Sequence, residues 1–179
     1  MFRYGTERLK LAPQTDESIV CAFTGNRPGK LPWGTDERDE RCVRIKDKIA
    51  EIIAEQYARG KRLFVCGMAR GADTYFAEAA IKFRETHQGL MLEAAIPFRG
   101  QSDGWLVNDR IRYDRIIDAC DCVTVVCRNP SRWAPLERNE YMVDKASTII
   151  ALSYSGSGGT VYTINAAKRK KREIIVINE

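Results

Sequence analysis

Histidine is nearly missing from this chain: His87 is the single one in 179 residues. None of the six cysteines (21, 42, 66, 120, 122 and 127) belongs to a CxxC pair. A zinc site would need histidine partners or paired CxxC spacing, so no metal is expected. Cys21, Cys66 and Cys122 lie in or beside apolar strand-like runs. They read as reduced, buried thiols of a cytosolic protein. A redox cluster of Cys120, Cys122 and Cys127 is the weaker reading. No apolar run approaches the length of a membrane span. The N-terminus, "MFRYGTERLKLAPQTDES", has no long apolar h-region. The expectation is a cytoplasmic protein without membrane contact.

Strong charge of either sign is also lacking. Twenty-nine Lys and Arg against 24 Asp and Glu leave a net charge of +5. That suits an anionic ligand but is too small to establish nucleic-acid binding. With 44% hydrophobic and 30% charged residues, a disordered chain is excluded. The length favours one domain with a sizeable core.

What is present is an alternation of short apolar runs with amphipathic ones. "SIVCAFTG" (18–25) is an unbroken apolar strand, as expected where both faces of a sheet are covered. A helix starts at Thr35 or Asp36. Cys42, Ile45, Ile49, Ile52, Ile53 and Tyr57 form its apolar face, and Gly60 ends it. Strands follow at 62–67, 90–97, 120–127, 147–154 and 173–178. Helices lie between them, from about Ala72, at Trp105–Ala119, Leu136–Lys145 and Thr160–Lys170. The pattern predicts an α/β protein, a Rossmann-like three-layer α/β/α sandwich with a mostly parallel central sheet. Residues 1–17 read as an irregular arm and 18–179 as a single domain.

Ligands of such sheets bind beyond the carboxyl ends of the strands, near the switch in strand order. Five post-strand stretches are therefore the candidates. After the first strand come Gly25, Asn26, Arg27 and Pro28. Arg27 offers a donor fork for phosphate or carboxylate, although a surface charge on an ordinary turn fits as well. After the second, "GMARGAD" (67–73) contributes Gly67, Arg70, Gly71 and Asp73. Asp73 is placed to cap the helix or to accept from a ribose hydroxyl. The spacing is not that of a dinucleotide fingerprint. After the third, Phe98 is a candidate for stacking on a base, while Trp105 more plainly seals the sheet edge. On the short helix after the fourth, Arg138 lies in the first turn. Asn139 falls on the core-facing stripe and needs a partner, either backbone or ligand. After the fifth, "SGSGGTVYT" (155–163) puts Gly158, Gly159 and Thr160 at a helix start, the most specific phosphate cradle in the chain. It lacks a P-loop lysine, which disfavours a Walker-type NTPase. Lys168–Arg172, at the far end of that helix, read as a solvated face.

Taken together, "CAFTGNRP-x-KLPWG", "GMARGAD", "AIPF", "RNEYMVD" and "GGTVYT" resemble the SLOG superfamily, specifically its YpsA-like branch, over about residues 19–178. The resemblance implies a Rossmann-like fold with a pocket for a nucleotide or nucleotide-derived ligand. It carries over Gly25, Arg27, Gly67, Gly71, Asp73, Arg138, Asn139, Asp144, Gly158, Gly159 and Thr160. Relatives often have histidine where this chain has Asn26, so histidine-dependent chemistry is not expected. The related LOG phosphoribohydrolases carry a catalytic glutamate where this chain has Thr163. Nucleotide N-glycosidase activity would need Asp73, Glu140 or Asp144 to stand in. "ARGAD" and "SGSGGTVYT" also look like motifs of the DNA-processing protein A family, which binds single-stranded DNA. The expected function is a binding or sensor domain for a phosphorylated, nucleotide-derived small molecule, without a cofactor. Nucleic acid is the lesser alternative, and self-association into a homo-oligomer is left open.

Overall fold

The structure is a computed structural model, and it describes residues 7–10 and 16–178. Strands β1 (Glu7–Lys10), β2 (Val20–Gly25), β3 (Leu63–Cys66), β4 (Met91–Ile96), β5 (Cys122–Val125), β6 (Thr148–Leu152) and β7 (Glu173–Ile177) form one sheet. Its order is β1-β5-β4-β3-β2-β6-β7. The six strands β2 to β7 are mutually parallel, and β1 alone runs antiparallel, against β5. Buried apolar side chains on both faces account for the unbroken apolar runs: every residue of β3, β5 and β6 is buried.

Helices α1 (Glu40–Ala58), α2 (Ala72–Arg84) and α3 (Val107–Ala119) cover one face. Helices α4 (Ala134–Lys145) and α5 (Gly159–Arg169) cover the other, through Met142, Val143, Ala166 and Ala167. From β2 the chain steps outward through β3, β4 and β5. It then returns to place β6 on the opposite side of β2. With right-handed crossovers, that reversal moves the later helices to the second face. It also opens a crevice between the carboxyl ends of β2 and β6. The fold is the Rossmann-like sandwich that the alternation predicts.

Two expectations need correction. The first helix begins at Glu40, not at Thr35 or Asp36; residues 31–39 are turns. Leu31 and Trp33 are buried there, and the Trp33 indole N–H lies 3.5 Å from the Tyr75 hydroxyl. Plugging the core with these two side chains postpones the helix until Asp39, whose carboxylate accepts from the Arg41 N–H at 2.8 Å. Glu37 is then free to pair with Lys46 at 2.6 Å and with Arg112. Burial raises the Glu37 carboxyl, but the hydrogen bonds from Arg112 and Lys46 outweigh it and the net shift is downward.

The second correction concerns the N-terminal arm. Glu7–Lys10 pair with β5 in register Glu7 with Val125 and Arg8 with Thr124. The edge of β5 would otherwise present unpaired N–H and C=O groups, and β1 covers them. Asp16 caps a 3-10 turn at Glu17–Ile19. The remainder of the arm, 1–6 and 11–15, lies outside the described residues. Among the described residues, no helix is long and apolar enough to cross a membrane.

Candidate functional site

Three glycine corners meet at the crevice between β2 and β6. At the first, the Gly25 N–H donates to Asp73 Oδ1 at 3.2 Å. A side chain at Gly25 would overlap the Ala72 methyl group, so β2 and α2 touch backbone to side chain here. Asn26 is 3% exposed. Its N–H donates to the Leu152 carbonyl at 3.2 Å, and its Oδ1 accepts from the Tyr154 N–H at 2.6 Å. Its Nδ2 donates to Thr160 Oγ1 at 3.3 Å. The amide thus ties the loops after β2 and β6 together, and protein partners engage both of its ends.

At the second corner, Gly71 precedes α2 with φ 91° and ψ −126°. The Ala72 N–H donates to the Asn26 carbonyl at 3.2 Å. Asp73, 4% exposed, receives N–H groups on both oxygens, from Gly25 on Oδ1 and from Ala69 on Oδ2 at 3.0 Å. Burial pushes its carboxyl above the ordinary range; the nearby Arg138 guanidinium and the two backbone N–H groups oppose this. At the third corner, Gly158 (φ 107°) leads into α5, and the Thr160 side chain is buried. Thr163 Oγ1 donates to the Gly159 carbonyl at 2.8 Å. The position of the LOG-type glutamate therefore holds a hydroxyl satisfied within its own helix.

Helix α4 closes the crevice from above. Arg138 is 5% exposed. Its Nη1 donates to the carbonyls of Gly67 and Ala95, and its Nε donates to Asn139 Oδ1 at 2.8 Å. Among the described residues, these are the hydrogen bonds of its guanidinium, from Nε and Nη1. Asn139 Nδ2 in turn donates to the Gly159 carbonyl at 3.3 Å. Burial lowers the Arg138 pKa, and the Asp73 charge counteracts it. Arginine stays a cation under such shifts.

These elements enclose a cavity of about 590 Å³, within the range of small-molecule sites. Of the expected residues, Gly25, Asn26, Arg27, Asp73, Arg138, Asn139, Gly159 and Thr160 line it. Arg27 is exposed; its carbonyl accepts from the Lys30 N–H at 2.9 Å, and its guanidinium has no hydrogen bond or ion pair among the described residues. Gly67, Gly71 and Gly158 support the wall without lining it. A side chain at Gly67 would run into the Arg138 guanidinium, and one at Gly158 would stand 2.6 Å from Lys30 Nζ.

Three expected residues fall elsewhere. Arg70 turns away to pair with Asp109 at 2.8 Å and lines neighbouring cavities. Phe98 lines an adjoining cavity of about 470 Å³. Asp144 is paired with Lys170 on the outer side of α4. Five residues beyond Asn139, it is turned about 140° around the helix from the core-facing stripe. Glu140 is likewise engaged outside the cavity, accepting from the Tyr162 hydroxyl at 2.7 Å.

Two cations of the cavity were not expected from the sequence. Lys30 lines it and donates to the Ser157 carbonyl at 2.6 Å, joining the first corner to the glycine loop. Arg132 lines it with its guanidinium 4.5 Å from the Trp133 ring centre. Lys30 ends a 3-10 turn (Pro28–Lys30) that follows β2, and Arg132 stands in the connection that follows β5; position beyond a strand's carboxyl end is the signal that would have found them. Arg27, Lys30, Arg132 and Arg138 face a single lining carboxylate, Asp73. The excess of donors and positive charge suits an anion. Among the described residues, no group of three or more His, Cys, Asp or Glu is placed to hold a metal ion.

Comparison with known proteins agrees with this architecture. The family model described as the YspA SLOG family matches residues 21–177. A UPF0398 protein of Halalkalibacterium halodurans is 26% identical over 159 residues, covering 86% of this chain and 82% of that protein. The SPbeta prophage-derived protein YoqJ of Bacillus subtilis is 26% identical over 145 residues, covering 74% and 85%. Among solved structures, DNA processing protein A of Helicobacter pylori superposes with a TM-score of 0.63 at 15% identity, covering 98% of this chain and 82% of that one. That Helicobacter pylori protein binds single-stranded DNA. The Streptococcus pneumoniae homologue gives a TM-score of 0.62 at 18% identity over 89% of this chain, which spans 50% of that protein. At these identities the structural likeness is one of fold.

Proposed function

Since this chain belongs to the YspA SLOG family, we propose that it binds a phosphorylated, nucleotide-derived small molecule in the switch-point cavity and acts as a binding or sensor domain. One observation carries the reading: a guanidinium 5% exposed, on Arg138, lines the cavity, and its hydrogen bonds among the described residues run from Nε and Nη1, which leaves Nη2 for a ligand. A guanidinium seated this deeply in a cavity wall, with no carboxylate bonded to it among the described residues, is placed to receive an anion that enters the cavity. A phosphate between Arg138, Arg27 and Lys30 also meets the N-terminal end of α5, where backbone N–H groups and the helix dipole attract anions. Binding is favoured over N-glycosidic cleavage, because both oxygens of the single lining carboxylate already accept backbone N–H groups.

Single-stranded DNA is the second reading, raised by the fold shared with the Helicobacter pylori protein. The basic run at the end of α5 does not support it as a strand path. Arg169 pairs with Glu140, Lys170 with Glu140 and Asp144, and Arg172 with Glu17. Thermal denaturation with a panel of nucleotides and an oligothymidylate tests both. A ligand at a hundred times its Kd stabilises by about 2.7 kcal/mol. For a chain of this size that raises Tm by roughly 5–10 °C. A nucleotide is expected to do so. A panel without any shift sinks the proposal, and a salt-sensitive shift with the oligonucleotide alone moves the site to DNA.

A further inference from the structure

The anion cavity does not stand alone. The adjoining cavity that contains Phe98 shares Arg27, Gly29, Ala69, Arg132 and Pro135 with it. The two are chambers with a common wall, and two cations stand on that wall. Their linings differ. Arg138, Asn139 and Thr160 give the first chamber buried polar groups beside the start of α5. The second is walled by Pro97, Phe98 and Trp105, with Gln101, Ser131 and the Asp109-paired Arg70 as its own polar members. Gln101 is anchored, its Nε2 donating to the Met68 carbonyl at 2.6 Å, which leaves its Oε1 as an acceptor.

Resting on the anion-site reading above, we propose that the ligand is two-ended: a diphosphate joining two ring-bearing groups, as in a nucleoside diphosphate sugar or a dinucleotide. One phosphate lies against Arg138, Lys30 and Arg27 at the start of α5, and the other at the common wall against Arg27 and Arg132. A flat base stacks on Phe98 in the second chamber, and a hydroxyl-bearing group takes the remainder of the first. A mononucleotide occupies one chamber and leaves the other empty. A nucleic-acid strand fits less well, because it needs a cationic track that continues beyond the two chambers. Here Arg169, Lys170 and Arg172 of the remaining basic run are ion-paired at the opposite end of α5.

The test is titration calorimetry with pyrophosphate, ADP, UDP, ADP-glucose, UDP-glucose and an oligothymidylate. At least one two-ended compound is expected to bind tenfold or more tightly than its parent diphosphate. Phe98→Ala is expected to weaken the nucleotides about tenfold, the usual scale of one lost base stack, and to leave pyrophosphate unchanged. Phe98→Tyr should restore the affinity, which separates stacking from a folding defect. Pyrophosphate binding without a nucleotide advantage, equal affinity for diphosphates and their conjugates, or indifference to Phe98→Ala overturns the two-ended ligand while sparing the anion site. Tighter binding of the oligothymidylate overturns the small-molecule class. Absence of any binding overturns both readings.

Discussion

Gly71→Ala is expected to destabilise the protein by about 4 kcal/mol, lowering Tm by roughly 8–16 °C. Two costs combine. At φ 91° and ψ −126°, the backbone occupies a region that L residues enter only under strain, at about 1–3 kcal/mol. An added Cβ would also stand 2.8 Å from the Asn26 carbonyl oxygen and 2.9 Å from Pro28 Cδ. Neither neighbour is a flexible side-chain tip. Displacing them moves the first glycine corner, and overpacking of this kind costs about 1–3 kcal/mol more. Because Asn26 also holds Tyr154 and Thr160, the third corner should shift as well. Chemical denaturation of the variant checks the magnitude. A loss below about 1 kcal/mol would mean that the corners are not mechanically joined.

Arg138→Met is expected to weaken nucleotide affinity by ten- to a hundredfold. A hydrogen bond to a charged group contributes about 1.5–3 kcal/mol, and each 1.4 kcal/mol is tenfold in Kd. Methionine keeps much of the volume and removes the fork. The substitution also takes donors from the Gly67 and Ala95 carbonyls, so stability should fall by about 1–3 kcal/mol. Arg138→Lys separates the two effects: it keeps the charge, loses the fork and should bind with intermediate affinity. Unchanged affinity in a folded Arg138→Met protein would place the ligand elsewhere.

The sheet was legible because its central strands are buried on both faces, and "SIVCAFTG" or "STIIALSY" has few other uses. The start of α1 was not. Asp36, Glu37 and Asp39 look alike as helix-start residues in one dimension. Only the burial of Leu31 and Trp33 decides that Asp39 is the cap. Strand β1 was hidden for a related reason: "ERLK" carries three charges in four residues, and its pairing comes from the open edge of β5 rather than from its own pattern.

At the site, positions were readable and directions were not. Every residue lining the first chamber that had been anticipated stands just after a strand or in the first turns of a helix. Arg27 and Arg70 looked interchangeable as anion clamps, yet Asp109 claims Arg70 across the fold. Asn26 was open to a ligand role, but its amide binds Tyr154 and Thr160, more than a hundred residues away in sequence. Lys30 supplies a cation beside a glycine loop that has no lysine of its own, from an element that only tertiary structure brings near.

A crystal structure with a bound nucleotide tests the anion site most directly. Phosphate oxygens should lie within about 2.7–2.9 Å of Arg138 Nη2, at the mouth of α5 beside Gly159 and Thr160. A nucleotide held instead along Lys168–Arg172, with the switch-point cavity empty at saturating ligand, would contradict the account.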